Sequence, residues 1–324
     1  MLLQIYLHEK ESIQTRTRYP FEIFVHKSKY DKFVSVALQK HGQWEIDLHE
    51  RMMRVMHGFK NATLVDIGAH VGFHALGAAA AGHRSIAVEP IALSVEMINK
   101  SIVHNAMEEH VEIVHAAAVD ERIPKLCMHQ SLENKGHSFV RPRSAPHTPT
   151  TYRIALWRLL VRFFMWVFNL HQLVPHWNRR YDHVLDYHKH RHHSDHCEYT
   201  KGVVLGEMLE GRKDVFAVKA DVEGSEYRAL KGLLPHLQDS PPCYIFMEFF
   251  PAMLHMQGDT GEDLLELVTS HGYEVFTVGG HVHVNRSVLP HFAEGGFLKR
   301  DTEYKGYYHD KFKEKPLGDM IRES

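Results

Sequence analysis

The residues best suited to chemistry lie in LVDIGAHVGFH (64–74), where an apolar run ends in Asp66 and continues through Gly68 and Gly72 into an Ala-rich segment. This pattern predicts a strand, a tight turn and a helix. Glycines in such a turn let the backbone approach a ligand closely, and the helix N-terminus offers unpaired N–H groups. Asp66 adds an acceptor for an ammonium or hydroxyl group. These features favour a nucleotide-like ligand; the structural alternative is a turn that needs glycine for packing alone.

A second carboxylate stands at the tip of the next predicted strand. SIAVEP (85–90) is apolar and ends in Glu89, which could accept hydrogen bonds from a ribose diol. The turn lacks the middle glycine of a dinucleotide fingerprint, and His70 in that place would crowd a pyrophosphate. The spacing therefore favours a nucleoside without phosphates, with S-adenosylmethionine the obvious one, over a nicotinamide cofactor.

More charged residues end two later apolar segments: Lys219, Asp221 and Glu223 in KADVEGSE (219–226), and Glu248 in CYIFMEF (243–249). Ligands bind at the carboxyl edge of an open α/β sheet, so we expect these groups beside the Gly68 turn. Three acids and a lysine there could hold a magnesium ion, or could orient and deprotonate a substrate hydroxyl. An ion-pair cluster that satisfies itself is the structural alternative. No residue is assigned as a metal ligand.

Composition narrows the class of protein. The 324 residues are 44% hydrophobic and 24% charged, with a net charge of −2, which is ordinary globular composition and argues against a nucleic-acid-binding surface. Three cysteines are too few and too scattered for a disulfide framework, and we expect them to be reduced. The apolar patch at the N-terminus is too short for a signal peptide, which predicts a cytoplasmic protein.

The order of predicted elements is βαβαβ, a long interruption, and then further strands and helices. It predicts one α/β domain with a mostly parallel sheet and a final antiparallel hairpin across Gly279-Gly280. The sequence predicts a lead-in that covers the sheet (1–60), a core in two segments (61–122 and 203–290), an insertion (123–202) and a C-terminal tail (291–324).

The insertion has two unusual stretches. IALWRLLVRFFMWVFNLHQLV (154–174) is long enough to span a bilayer, but Arg158 and Arg162 inside it disfavour a transmembrane helix. A core-packing helix and a helix that docks on a membrane surface or a partner both remain open. The histidine-rich tract 183–196 could bind zinc, although it lacks two ligand pairs at fixed spacing, so a solvated loop is favoured.

Four pieces of the chain, VDIGAHVG, AVEP, IVHAAAVDE and VKADVEGSEYRALKG, resemble in that order the FkbM-type methyltransferases, a branch of the S-adenosylmethionine-dependent class I fold. The resemblance covers about residues 25–122 and 203–285. It implies a Rossmann-like class I methyltransferase sheet, mostly parallel with an antiparallel last strand, and S-adenosylmethionine as cofactor.

The resemblance also implies roles for particular residues. The glycine turn would contact the cofactor through Asp66, Gly68, His70 and Gly72. Glu89 would recognise the ribose. One edge of the site, on the fourth strand of the core, would be formed by Asp221 and Glu223. Two positions depart from the family pattern. His70 replaces the usual Asn of the turn, and its imidazole can still donate one hydrogen bond. Gly206 stands where the family often has Asp, so a carboxylate on the substrate side is missing.

Methylation of a hydroxyl group on a sugar or another small-molecule or glycan acceptor is the activity that the resemblance implies. The chain must align an oxygen with an electrophilic methyl group and remove a proton. Glu223 is the first candidate for the base, Asp221 the second and His70 the third. A different class of function is a catalytically silent scaffold that docks on a membrane or a protein partner through 154–174.

Overall fold

A computed structural model describes residues 12–59, 61–130, 138–140, 197–277, 280–281 and 296–300. Within these ranges the strands are β1 (Ile13–Gln14), β2 (Glu22–Ile23), β3 (Thr63–Ile67), β4 (Arg84–Glu89), β5 (Val111–His115), β6 (Ala117–Ala118), β7 (Ile123–Gln130), β8 (Ser138–Val140), β9 (Cys197–Val203), β10 (Val215–Ala220), β11 (Tyr244–Met247), β12 (Tyr273–Thr277), β13 (Gly280–His281) and β14 (Gly296–Arg300). The helices are α1 (Val34–His41), α2 (Ile46–Met56), α3 (Phe73–Ala80), α4 (Ala92–His104), α5 (Leu205–Met208), α6 (Glu226–Asp239), α7 (Pro251–Gln257) and α8 (Gly261–Ser270).

The main sheet has eight strands in the order β13-β12-β14-β11-β10-β3-β4-β5. The run from β11 to β5 is parallel, whereas β14 is antiparallel to both of its neighbours, β11 and β12. The predicted Rossmann-like α/β class, mostly parallel with an antiparallel strand near one edge, is confirmed. An antiparallel hairpin between β12 and β13 also forms, but Gly280 lies in β13 opposite Thr277 rather than in the turn, where the sequence had predicted it.

Helices cover both faces of the central strands, which explains why these strands are apolar runs rather than alternating patterns. Every residue of β3, β10 and β11 is buried. One face, which includes Val65 and Val218, packs with α6 and α8. The opposite face, which includes Leu64 and Phe246, packs with the methionines of α2. The helix α2 of the predicted lead-in thus belongs to the core.

A second sheet of four strands has the order β6-β9-β7-β8. Its first strand, β6, follows β5 after Ala116. β5 pairs with β4 in the main sheet, whereas β6 pairs with β9. The strands β7 to β9 lie in the predicted insertion. The chain divides into two compact units, 1–141 with 196–324 and 142–195, so the flanks of the insertion group with the core. Cys127 on β7 is disulfide-bonded, contrary to the expectation of reduced cysteines.

The predicted C-terminal tail contains a strand of the core. Phe297 and Leu298 of β14 pair with β11 on one side and β12 on the other. A five-residue strand that follows a stretch without clear periodicity gives a weak signal in the sequence, so the boundary at residue 291 excludes it. The antiparallel strand β14 is therefore supplied by the segment predicted as a C-terminal tail.

No helix in the described ranges is long and apolar enough to cross a membrane. The two unusual stretches of the insertion, 154–174 and 183–196, lie outside those ranges, so both readings of each stretch remain predictions.

Gly206, the second departure from the family pattern, has a packing role. It lies in α5 against α6, and a Cβ at this position would be 2.6 Å from Pro235 Cδ and 3.0 Å from the Gly232 carbonyl oxygen. The contact leaves no room for a side chain. Glycine is therefore required by the approach of these two helices.

We expect Gly206→Asp to lower the free energy of unfolding by at least about 2 kcal/mol, because it overpacks a helix contact and buries a charge. Urea unfolding followed by circular dichroism measures the change. Glu210→Asp, at an exposed position just after the same helix, serves as the control and should leave stability unchanged. Equal stability of the two variants would show that α5 and α6 are not in close contact.

Candidate active site

The glycine turn after β3 packs closely against the turn that follows the neighbouring strand, β10. Gly68 has a φ of +78°, and a Cβ on it would lie 1.9 Å from the Asp221 carbonyl oxygen. The Asp221 N–H in turn donates to the Ile67 carbonyl at 3.0 Å. Gly72, with a φ of +85°, precedes α3. The glycine at 68 is thus required by the approach of the two turns at the carboxyl edge of the sheet.

Asp66 is fully buried between β3, β10 and α3. Its Oδ2 accepts a hydrogen bond from Ala75 N–H at 3.1 Å, and its Oδ1 lies 3.5 Å from Lys219 Nζ. Lys219 and Asp66 occupy the same register of the parallel pair. The Lys219 ammonium is also 3.4 Å from the Gly68 carbonyl and 3.3 Å from Asp221 Oδ2. Burial opposes the charge on Lys219, but the carboxylates of Asp221 and Asp66 outweigh burial and raise its pKa.

Glu89 connects the tip of β4 to the glycine turn. Its Oε2 accepts a hydrogen bond from the His70 N–H at 2.8 Å, and its Oε1 accepts one from the Ile91 N–H at 2.9 Å. The side chain is 4% exposed. Burial raises the pKa of Glu89 to about 8, although the two backbone hydrogen bonds oppose the shift. The carboxylate predicted to recognise a ribose therefore also holds the turn in place.

His70 adopts a left-handed backbone, with a φ of +51°. Asn is favoured in this region and His is tolerated there, so the replacement of the family's Asn leaves the backbone of the turn intact. Its Nε2 lies 3.6 Å from Oδ2 of Asp31, and its ring centroid is 5.2 Å from that of His26. Burial lowers the pKa of His70, while the nearby Asp31 opposes that shift.

The acids after β10 and β11 come together at the sheet edge. One oxygen of each of Asp221, Glu226 and Glu248 lies within 4.8 Å of the other two, a spacing that could hold a cation. Glu226 is 1% exposed and accepts hydrogen bonds from the N–H groups of Val222 and Gly224. Burial raises the pKa of Glu226 to about 7. Burial, together with the charges of Asp221 and its neighbours, raises the pKa of Glu248 well above its usual value.

A cleft lies beside these groups, with about 560 Å³ of empty space that includes its open side. Five of the predicted site residues line it: Gly68, His70, Glu89, Asp221 and Glu223. Its apolar wall includes Ile91 next to β4 and Met128 and Val140 of the second sheet. Asp66 and Gly72 are not among the lining residues and lie behind the turn.

Sequence reasoning missed four polar residues around this site: Asp31, Glu45, His74 and Glu226. Asp31 is fully buried and accepts hydrogen bonds from the Ser35 side chain and backbone at the start of α1. An Asp shortly before an apolar helical segment is a helix-start signal, and this signal was available in the sequence. Glu45 and His74 had no such signal, because their proximity depends on how α2 packs against α3.

The chain matches no protein-family model, and no curated protein matches it in sequence. Among solved structures it is similar to the C-terminal domain of precorrin-6Y C5,15-methyltransferase from Rhodobacter capsulatus, with 24% identity, 24% of this chain and 41% of that chain covered, and a TM-score of 0.22. It is also similar to precorrin-6y C5,15-methyltransferase from Geobacter metallireducens GS-15 (9% identity, 80% and 91% covered, TM-score 0.38). A third similar structure is TYW2 from P. horikoshii in complex with MeSAdo, with 11% identity, 89% of this chain and 69% of that chain covered, and a TM-score of 0.36. The chain spans less than half the length of the first of these. With TM-scores this low, the likenesses carry no argument about function, which is inferred below from the site itself.

The raised pKa of Glu89 predicts how stability depends on pH. Because the folded state holds this proton more tightly than the unfolded state, the contribution of Glu89 is full below the usual value of 4.5 and is lost as pH rises through about 8. We therefore expect the free energy of unfolding to fall over this range, with a slope of up to about 1.4 kcal/mol per pH unit from one proton.

Urea unfolding at several pH values tests this prediction on the unmodified protein and on Glu89→Gln, which cannot titrate. The variant should show a flatter dependence. Glu108→Gln, on an exposed loop, should keep the slope of the unmodified protein. A slope that Glu89→Gln leaves unchanged would contradict the assignment of the pKa to Glu89.

Proposed function

We propose that this chain is an S-adenosylmethionine-dependent methyltransferase that methylates a hydroxyl group of a sugar or another small-molecule or glycan acceptor. The observation that carries the proposal is the joint position of Glu89, the Gly68 turn and Asp221 on one cleft at the carboxyl edge of the sheet. The order of the sheet, with β14 antiparallel between β11 and β12, agrees with this proposal. So does the resemblance of its motifs to the FkbM-type methyltransferases.

The residues present suit a nucleoside cofactor. Glu89 has a carboxylate at the cleft, and each of its oxygens keeps a lone pair beyond the one used by a backbone N–H. Ile91 and Met128 add apolar surface suited to a base. Gly68 keeps the turn free of side-chain atoms. His70 lines the same cleft.

When bound, the cofactor supplies an electrophilic methyl group on a sulfonium. The chain itself must orient the acceptor oxygen and accept its proton. Glu223, the first candidate for the base, lines the cleft and has a left-handed backbone with a φ of +53°. Such backbone strain occurs at functional sites. Asp221, the second candidate, forms an ion pair with Lys219, whose Nζ lies 3.3 Å from its Oδ2.

Calorimetric titration with S-adenosylhomocysteine, with NADH as a comparison ligand, tests the cofactor. We expect saturable binding of S-adenosylhomocysteine, weakened at least about tenfold in Glu89→Ala, because the hydrogen bond to the ligand is lost and the His70 and Ile91 N–H groups lose their acceptor. His70→Asn should bind about as well as the unmodified chain, since Asn keeps the left-handed backbone. Preferential binding of NADH, or no binding of S-adenosylhomocysteine to the folded chain, would contradict the proposal; the second result would favour the silent scaffold.

Transfer of a labelled methyl group from S-adenosylmethionine to a panel of sugars and small hydroxylated compounds tests the reaction. Once an acceptor is found, Glu223→Gln is expected to lower kcat by about 10²- to 10⁴-fold, the usual contribution of a general base. Its affinity for S-adenosylhomocysteine should not change. Asp221→Asn should have the smaller effect on kcat. A larger loss of kcat in Asp221→Asn than in Glu223→Gln would make Asp221, and not Glu223, the general base.

A further inference from the structure

Asp31, in the lead-in, is a fully buried carboxylate that is fixed by the start of α1. Its Oδ1 accepts hydrogen bonds from the N–H groups of Phe33 and Val34 at 3.2 and 3.1 Å. Its Oδ2 accepts one from the Ser35 N–H at 2.8 Å and one from the Ser35 hydroxyl at 2.6 Å. Both oxygens therefore act as acceptors, as those of an ionised carboxylate do.

The imidazole of His70 lies against this carboxylate, with its Nε2 3.6 Å from Oδ2 of Asp31. On another side the ring is tilted against that of His26, at a centroid distance of 5.2 Å. His26 Nε2 is in turn 3.0 Å from the Ser94 hydroxyl. The backbone of His70 is held separately, by its N–H bond to Glu89. The lead-in thus contacts the ring, while the tip of β4 holds the backbone.

The position of the proton on His70 follows from this arrangement. Burial lowers the pKa of His70, so the imidazole is neutral at pH 7 and has one N–H group. Because an ionised carboxylate can only accept, that proton is favoured on Nε2, which faces Asp31. Both ring nitrogens are buried. The 18% of the His70 side chain that is exposed therefore consists of carbon atoms.

This geometry disfavours His70, the third candidate for the base. A general base needs a lone pair that the acceptor hydroxyl can reach. In His70 the lone pair is on the buried Nδ1, and Nε2 directs its proton toward Asp31. His70 lines the cleft and Asp31 is not among the lining residues. Any effect of Asp31 on a ligand in the cleft is therefore exerted through His70.

We propose that Asp31 is a positioning residue of the cofactor site: it holds the imidazole of His70 through Nε2–H, so that the ring is a fixed apolar part of the cleft wall against the bound cofactor. The proposal rests on the proposed function and adds to it a residue outside the cleft. Without the carboxylate, the ring would lose its partner and turn its polar edge toward water. It would then occupy space that the cofactor needs.

A double-mutant cycle separates this role from the contact of Asp31 with α1. Asp31→Ser keeps an oxygen that can accept an N–H group at the start of α1, but its side chain is shorter and uncharged. We expect it to weaken S-adenosylhomocysteine binding at least about fivefold by calorimetry. In the His70→Asn background, where no imidazole can move, the same change should weaken binding by less than about twofold.

The orientation of the ring is tested without a ligand. Diethyl pyrocarbonate modifies neutral imidazole nitrogens that solvent can reach, and peptide mass spectrometry locates the modified histidine. We expect His70 to be protected in the unmodified chain and to react in Asp31→Ser. His110, at an exposed position, is the control and should react equally in both.

Thermal melting checks that all variants fold. Equal weakening of binding by Asp31→Ser in both backgrounds would limit Asp31 to a role in α1 and overturn the proposal. So would reaction of His70 in the unmodified chain. Once an acceptor is found, a loss of kcat in Asp31→Ser with an unchanged KM for S-adenosylmethionine would also overturn it, because the pair would then act on the proton. Protection of His70 by Asp31 in a chain that does not bind S-adenosylhomocysteine would support the pair and contradict the proposed function, so the two failures are distinguishable.

Discussion

The ion pair of Lys219 and Asp66 is the interaction on which the rest of the site depends. Both groups are buried at matching positions of two central strands, where an unpaired charge would be strongly destabilising. Asp66 also accepts a hydrogen bond from the first turn of α3, and Lys219 reaches the Gly68 carbonyl. One pair thus fixes two strands, the glycine turn and the helix after it.

Two other buried carboxylates hold the loops that carry the site. Glu89 accepts N–H groups on both sides of the cleft, from the glycine turn and from the start of the next loop. Glu226 does the same for the turn after β10. Backbone donors in tight turns have no partner in a strand or helix, so a buried acceptor is needed to satisfy them. These acids support the backbone whatever else they bind.

The site is assembled from parts of the chain that are distant in sequence. The lead-in supplies Asp31 next to His70 and Glu45 next to His74, while the second sheet supplies Met128 and Val140 to the apolar wall of the cleft. A conventional α/β core would leave this edge open to solvent. Here the second sheet adds an apolar wall to a cleft whose lining also includes the acids Asp221 and Glu223.

The sequence by itself determined the parallel core, because fully buried strands must be apolar runs and their charged tips mark the edge where ligands bind. It therefore predicted Gly68, Glu89, Asp221 and Glu223 in one place. The tertiary structure alone revealed that β14 belongs to the sheet, that Gly206 is a packing residue, and that Glu45 lies beside His74. Those facts depend on contacts between segments far apart in the chain, and local periodicity carries no information about them.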